Sequence, residues 1–125
     1  MPERHQLTEL QLAILRVLWA RREATVLDIW EALHAERGLA HTTVATMLSR
    51  LERRGVVTRR AQARRYHYRA AVTEAEVQHS MVGELTARLF GGDVTALMQH
   101  LLSAGDVTPG DLARIRERIA RAGSA

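Results

Sequence analysis

Eight arginines and a single acid, Glu52, lie between Arg50 and Arg69. Guanidinium groups at that density suit a polyanion, nucleic acid first of all. Thr43, Ala45, Thr46, Ser49, Arg50 and Arg53 share the helix face opposite Val44, Met47, Leu48 and Leu51. The apolar four repeat at i, i+3, i+4 and i+7, so they turn inward and leave the other face to solvent. That outer face is short, polar and basic. Arg50 and Arg53 stand about one helical turn apart, so both can face one surface. An arginine there can take guanine O6 and N7 as a bidentate pair, and a threonine can bond a base or touch a thymine methyl. Arg64 and Arg65 fall between two segments of strand period, where they can straddle phosphates or enter a minor groove.

Several chemistries are excluded. The chain has 125 residues and no Cys, so disulfides, thiol catalysis and Cys-based metal centres are ruled out. None of the six His forms an i, i+4 pair on one helix, so no metal site is expected. There is no HExxH, GxSxG, P-loop or GxGxxG, and the carboxylates fit caps and helix surfaces, so no enzyme and no cofactor are expected. No apolar run approaches the roughly 18 residues of a membrane span. The N-terminus is polar, with no signal-peptide core. A cytoplasmic protein without direct membrane binding is the expectation. All 18 basic residues are Arg; residues 1–72 hold 13 of them against 7 acids, and residues 73–125 hold 5 against 7. The positive charge belongs to the first half.

The elements that position the basic face follow from caps and periodicity. Thr8 and Gln11 form a capping box, with Leu7 and Leu12 at the staple positions. A helix with a broad apolar face (Leu10, Ala13, Ile14, Val17, Leu18) follows. Thr25 caps a second helix, with Asp28 three residues on, a stripe of Val26, Ile29, Trp30 and Leu33, and Gly38 at its end. Ala24-Thr25-Val26 can donate a stub of strand. Thr42 opens the third helix and Gly55 closes it. The period then changes to two. Residues 56–60 and 65–69 read as strands, with Tyr66 and Tyr68 on one face and Arg65, His67 and Arg69 on the other. Without Asn-Gly between them, a loop longer than a tight turn is expected.

The second half is helical in pattern. Thr73 and Glu76 make another capping box, followed by Val77, Met81, Leu85 and Leu89. Phe90-Gly91-Gly92 breaks the helix and Asp93 caps the next, which carries Leu97, Met98, Leu101 and Leu102. Gly105 stops it. Thr108, Pro109 and Asp111 start the last helix as cap, N1 and N3, and Leu112, Ile115 and Ile119 form its stripe.

The expected fold is mainly α with a small β-hairpin wing. A winged helix-turn-helix over 1–72 is followed by a helical dimerisation region over 73–125. The third helix would read the major groove of double-stranded DNA. About 50 residues of amphipathic helix are marginal alone. Val77, Met81, Leu85, Leu89, Leu97, Leu101, Leu112, Ile115 and Ile119 are therefore the candidate contacts of a twofold homodimer, which also suits a reader of two half-sites.

The sequence resembles the penicillinase-repressor family, the BlaI/MecI type, over roughly Leu7 to Ile119. The carrying stretches are Leu7–Gln11 through Val17-Leu18-Trp19, Ala40–Val44 through Leu48–Leu51, Arg53–Val57, and Arg65–Arg69. Phe90-Gly91-Gly92 and Val107-Thr108 to Ile115 match more loosely. The resemblance implies a homodimeric repressor on a palindromic operator, with Thr42, Thr43, Ala45, Thr46, Arg50, Arg64 and Arg65 on the DNA. It places a shorter residue, Ala45, where some relatives carry a longer polar one. It further implies regulation tied to antibiotic resistance, through a membrane sensor metalloprotease that leads to cleavage in the dimerisation region. The matching bond is His100-Leu101, where relatives have Asn-Phe. A Cys-based copper-sensing branch of the family is excluded. The alternative is a MarR-like regulator, released by a small ligand with its chain intact.

Overall fold

The computed structural model describes residues 6–123 of the chain. The elements run α1 (Glu9–Arg21), α2 (Val26–Arg37), α3 (His41–Arg53), β1 (Val57–Gln62), β2 (Arg65–Ala70), α4 (Glu74–Phe90), α5 (Val94–Ser103) and α6 (Pro109–Gly123). Two compact units divide the chain, one ending at Met81 and the other beginning at Val82. The division falls inside α4.

Local signals set most element starts. Thr8 Oγ1 accepts from the Gln11 amide at 3.2 Å, and Gln11 Oε1 accepts from the Thr8 amide at 3.0 Å. Thr25 and Asp28 exchange the same pair of bonds. So do Thr73 with Glu76 and Thr108 with Asp111. Asp93 caps α5 through the Ala96 amide. Each satisfies amides that a helix start otherwise leaves unpaired. Gly38 ends α2 at φ 60°, a left-handed conformation that costs glycine little.

The first unit packs three helices and the hairpin around one core. Ile14, Leu15 and Leu18 of α1, Ile29 of α2, and Val44, Leu48 and Leu51 of α3 are buried in it. Val56, Val57 and Tyr68 close it from the hairpin side, and Val77 from α4. Trp19 Nε1 donates to the Val72 carbonyl at 2.9 Å, which ties the end of the hairpin to α1. The stub anticipated at Ala24 is present: Ala24 and Tyr68 exchange backbone bonds of 3.0 and 2.8 Å. A third backbone segment thus lies along β2.

The hairpin differs from expectation. The strands extend to Gln62 and Arg65, which pair directly, so the connection is only Ala63-Arg64. Both residues have positive φ, 52° and 66°. A tight two-residue turn that follows the strand twist demands this, and Gly or Asn normally supplies it. Here Ala and Arg adopt it, at a cost of roughly 1–2 kcal/mol each. The absence of Asn-Gly was therefore a misleading signal, because strand pairing on both sides overrides the local preference.

Two further corrections concern helices. α3 begins at His41, one residue earlier than expected, with Ala40 at its N-cap. Val77 is 1% exposed in the core of the first unit, and Met81 packs against the same core. The stripe expected to be wholly a dimer surface is thus divided, with its first two members facing inward.

The second unit contrasts with the first. Among the described residues from Val82 onward, Thr86 alone is buried, and its hydroxyl donates to the Val82 carbonyl one turn earlier. Val82, Leu85, Leu89, Val94, Leu102, Ile115 and Ile119 are exposed.

Candidate nucleic-acid interface

α3 supplies the first part of the candidate site. Val44, Leu48 and Leu51 hold its inner face in the core. At 3.6 residues per turn Thr42, Thr46, Ser49 and Arg53 fall within roughly 60° of each other on the outer face. All four are exposed. Arg50 is exposed beside Thr43 on one flank, and Ala45 is half-buried on the other. The sequence-predicted helix residues therefore do share one face, with Thr43 and Ala45 at its edges.

The start of α3 is unlike that of the other five helices. No side chain caps it. The Thr43 amide turns back to the Ala40 carbonyl at 3.1 Å, and a helix terminus with its partial positive charge favours an anion.

The hairpin supplies the second part. Arg64 is at its turn and Arg65 opens β2, both exposed. The arginines of the hairpin divide by role. Arg59 Nε lies 3.1 Å from Glu52 in the last turn of α3, and its guanidinium sits 4.1 Å over the Tyr66 ring. Tyr66 is half-exposed beneath that cation, whereas Tyr68 is buried. Arg60 chelates Glu23 with Nε at 3.0 Å and Nη2 at 2.5 Å. These pairs tie the hairpin to α3 and to the α1–α2 connection. By contrast Arg50, Arg53, Arg64 and Arg65 make no ion pair among the described residues. Their charge is uncompensated, which is what a phosphate-binding surface requires.

Carboxylates near this surface are held charged. The Arg60 hydrogen bonds keep the Glu23 carboxyl below its ordinary value, with Arg69 and His67 adding attraction. Backbone bonding at Thr25 does the same for Asp28.

Sequence reasoning missed one feature. Trp30 stacks on His34, with ring centroids 3.9 Å apart, and on His41 at 4.1 Å. Its Nε1 donates to the Leu39 carbonyl at 2.6 Å. The Trp30–His34 spacing of one turn was a visible signal; the third ring joins only once α2 and α3 are packed.

Other site candidates lie elsewhere. His100 is exposed and Leu101 half-buried in the last turn of α5, and the His100 ring lies 5.8 Å from that of Phe90. An open cavity of about 580 Å³ lies at the hairpin root within the first unit, lined by Leu18, Trp19, Arg22, Arg69, Val72 and Glu74 among others. No group of three or more metal-ligating side chains occurs among the described residues, and none of their helices is long and apolar enough to cross a membrane.

Comparison with known proteins agrees with this architecture. The methicillin resistance regulatory protein MecI of Mammaliicoccus sciuri is 16% identical over 112 residues, 90% of this chain and 91% of that protein. The transcriptional regulator BlaI of Mycobacterium tuberculosis is 41% identical over 64 residues, 50% of this chain and 46% of that one. Among solved structures, monomeric Bacillus licheniformis BlaI in complex with the blaP half-operator superposes with a TM-score of 0.52 at 21% identity. That match covers 61% of this chain and 93% of the BlaI chain. MepR, a regulator of a Staphylococcus aureus multidrug efflux pump, gives 0.51 at 21% identity over 95% of this chain and 79% of its own. At these identities the two structures establish the winged-helix fold alone. The penicillinase repressor profile matches residues 7–121, and with that coverage the chain belongs to the penicillinase repressor family.

Proposed function

We propose that the protein is a homodimeric transcriptional repressor acting on a palindromic operator in double-stranded DNA. The observation that carries this reading is the sorting of arginines. Arg59 and Arg60 are paired with acids that hold the hairpin in place, while Arg50, Arg53, Arg64 and Arg65 are left unpaired on the outer surface. α3 enters the major groove, with Thr42, Thr43, Ala45, Thr46, Ser49, Arg50 and Arg53 towards the DNA. Ala45 offers a base only its methyl group. Arg64 and Arg65 bind flanking backbone.

Residues 1–72, with the start of α4 whose Val77 and Met81 pack on the first core, form the DNA-binding part of this reading, and the helices beyond form its dimerisation part. Dimerisation is supported by the second unit itself. Helices with no buried apolar side chain lack the burial that offsets chain entropy. Leu85, Leu89, Ile115 and Ile119 are exposed, and Leu97, Leu101 and Leu112 half-buried. A twofold partner covers this stripe, and two half-sites spaced about one helical turn of DNA match that symmetry.

Release follows from a cut at His100-Leu101 under a membrane sensor metalloprotease. The exposure of His100, on one side of that bond, supports this. A second reading is release by a small ligand with the chain intact, for which the open cavity at the hairpin root is the candidate place. Intact-mass measurement of the repressor from induced cells separates them. A fragment ending at His100 supports the cut; an intact chain off its operator supports the ligand.

A further inference from the structure

The stacked rings at the start of α3 have no role in the reading above. Trp30 holds His34 with nearly parallel planes, 7° apart, and His41 at 27°. Two imidazoles at these distances cannot share one face of an indole, so Trp30 is sandwiched between them. The Nε1 bond to Leu39 fixes the indole's rotation. The arrangement therefore holds His41 as well as packing it. An indole lies between the two imidazoles, so they cannot share a metal ion. His34 is half-buried and His41 exposed, so His41 is the ring of the pair more open to an outside partner.

His41 is the first residue of α3. By helical spacing it falls between Ala45 and the buried Leu48, off the Thr42, Thr46, Ser49 and Arg53 face, and its place in the first turn leaves it exposed. When a helix lies in a major groove, the centre of its outer face meets base edges, and side chains well off that centre meet the sugar–phosphate wall. An imidazole always carries at least one N–H donor. One that is already stacked has little rotamer freedom left to lose on binding.

We propose that His41 is a DNA-contacting residue that donates a ring N–H to a backbone phosphate, with Trp30 as its positioning residue. The assignment rests on the repressor reading and adds to it a specific phosphate contact that no arginine supplies.

The test uses the full chain and duplexes from its own upstream region. His41→Phe keeps the stack and removes the donor; His41→Ala removes both. Affinity is measured by fluorescence anisotropy on the parent duplex and on a series carrying one neutral methylphosphonate each. A neutral hydrogen-bond contact implies an affinity loss of about three- to tenfold for His41→Phe, with unchanged melting. One methylphosphonate position should weaken the wild type to a similar degree and neither variant any further. That lack of additivity is the mark of direct contact, and a purely structural role does not produce it. Wild-type affinity in His41→Phe, or full additivity at every phosphate, overturns the assignment alone. A wild type that discriminates no duplex overturns the repressor reading and the assignment with it.

Discussion

One guanidinium, that of Arg60 on β1, bonds both oxygens of Glu23, the residue just before the Ala24–Tyr68 backbone bridge. α1 has ended at Arg22 with φ 68°, which turns the chain towards the hairpin. The backbone pairing and the ion pair both tie the α1–α2 connection to the hairpin. His67 Nδ1 lies 3.8 Å from the same carboxylate.

Glu23→Gln tests this anchor. Because the Glu23 carboxyl is shifted down by Arg60, its contribution is complete above the unfolded value of about 4.3 and is lost as pH falls through the lower folded value. The melting temperature of the variant should lie below wild type at pH 7, and the gap should close as pH falls below the ordinary carboxylate range. A gap independent of pH contradicts the anchor.

The unpaired arginines should separate by type. Arg50→Ala should lose about 1–3 kcal/mol of discrimination at the base pair it reads. Arg64→Ala should weaken all duplexes alike and lower the salt slope by roughly 0.9 per lost phosphate contact. Competition titrations at several salt concentrations distinguish the two patterns, and identical behaviour of both variants contradicts the division of roles.

The hairpin turn should be improvable. Asn tolerates positive φ better than Ala, so Ala63→Asn should gain about 0.5–1 kcal/mol in thermal denaturation. DNA affinity should stay unchanged, since Arg64 keeps its place. A loss of stability shows that the turn geometry is not the one described.

The apolar stripe should respond to charge. Leu89 is 69% exposed and Ile119 66%. Leu89→Asp should raise the dimer dissociation constant at least about thirtyfold, matching the roughly 2 kcal/mol of one buried leucine. Sedimentation velocity reads this directly. Val77→Asp should instead unfold the first unit, because Val77 lies in that core.

Much of the molecule was legible because its signals are local. The four Thr-based capping boxes each need two side chains three residues apart, and the sequence displays them directly. The outer face of α3 is likewise a matter of period. What was misread depends on partners distant in sequence. Ala63 and Arg64 accept positive φ because Gln62 and Arg65 pair beside them. Val77 sits in the same apolar period as Leu85, and only packing assigns it to the first core. The pairing of Arg59 with Glu52 and of Arg60 with Glu23 has no local signal, because each acid lies on another element. His41 gains a fixed position only from Trp30 on another helix.

The central claim is specific operator binding by a dimer, and a titration of the purified protein against its upstream DNA tests it most directly. A scrambled duplex is run in parallel at two salt concentrations. The account predicts saturation at two chains per site, a steep loss of affinity with salt, and binding to the scrambled duplex at least ~10³ weaker. Equal, weak binding to both duplexes contradicts it.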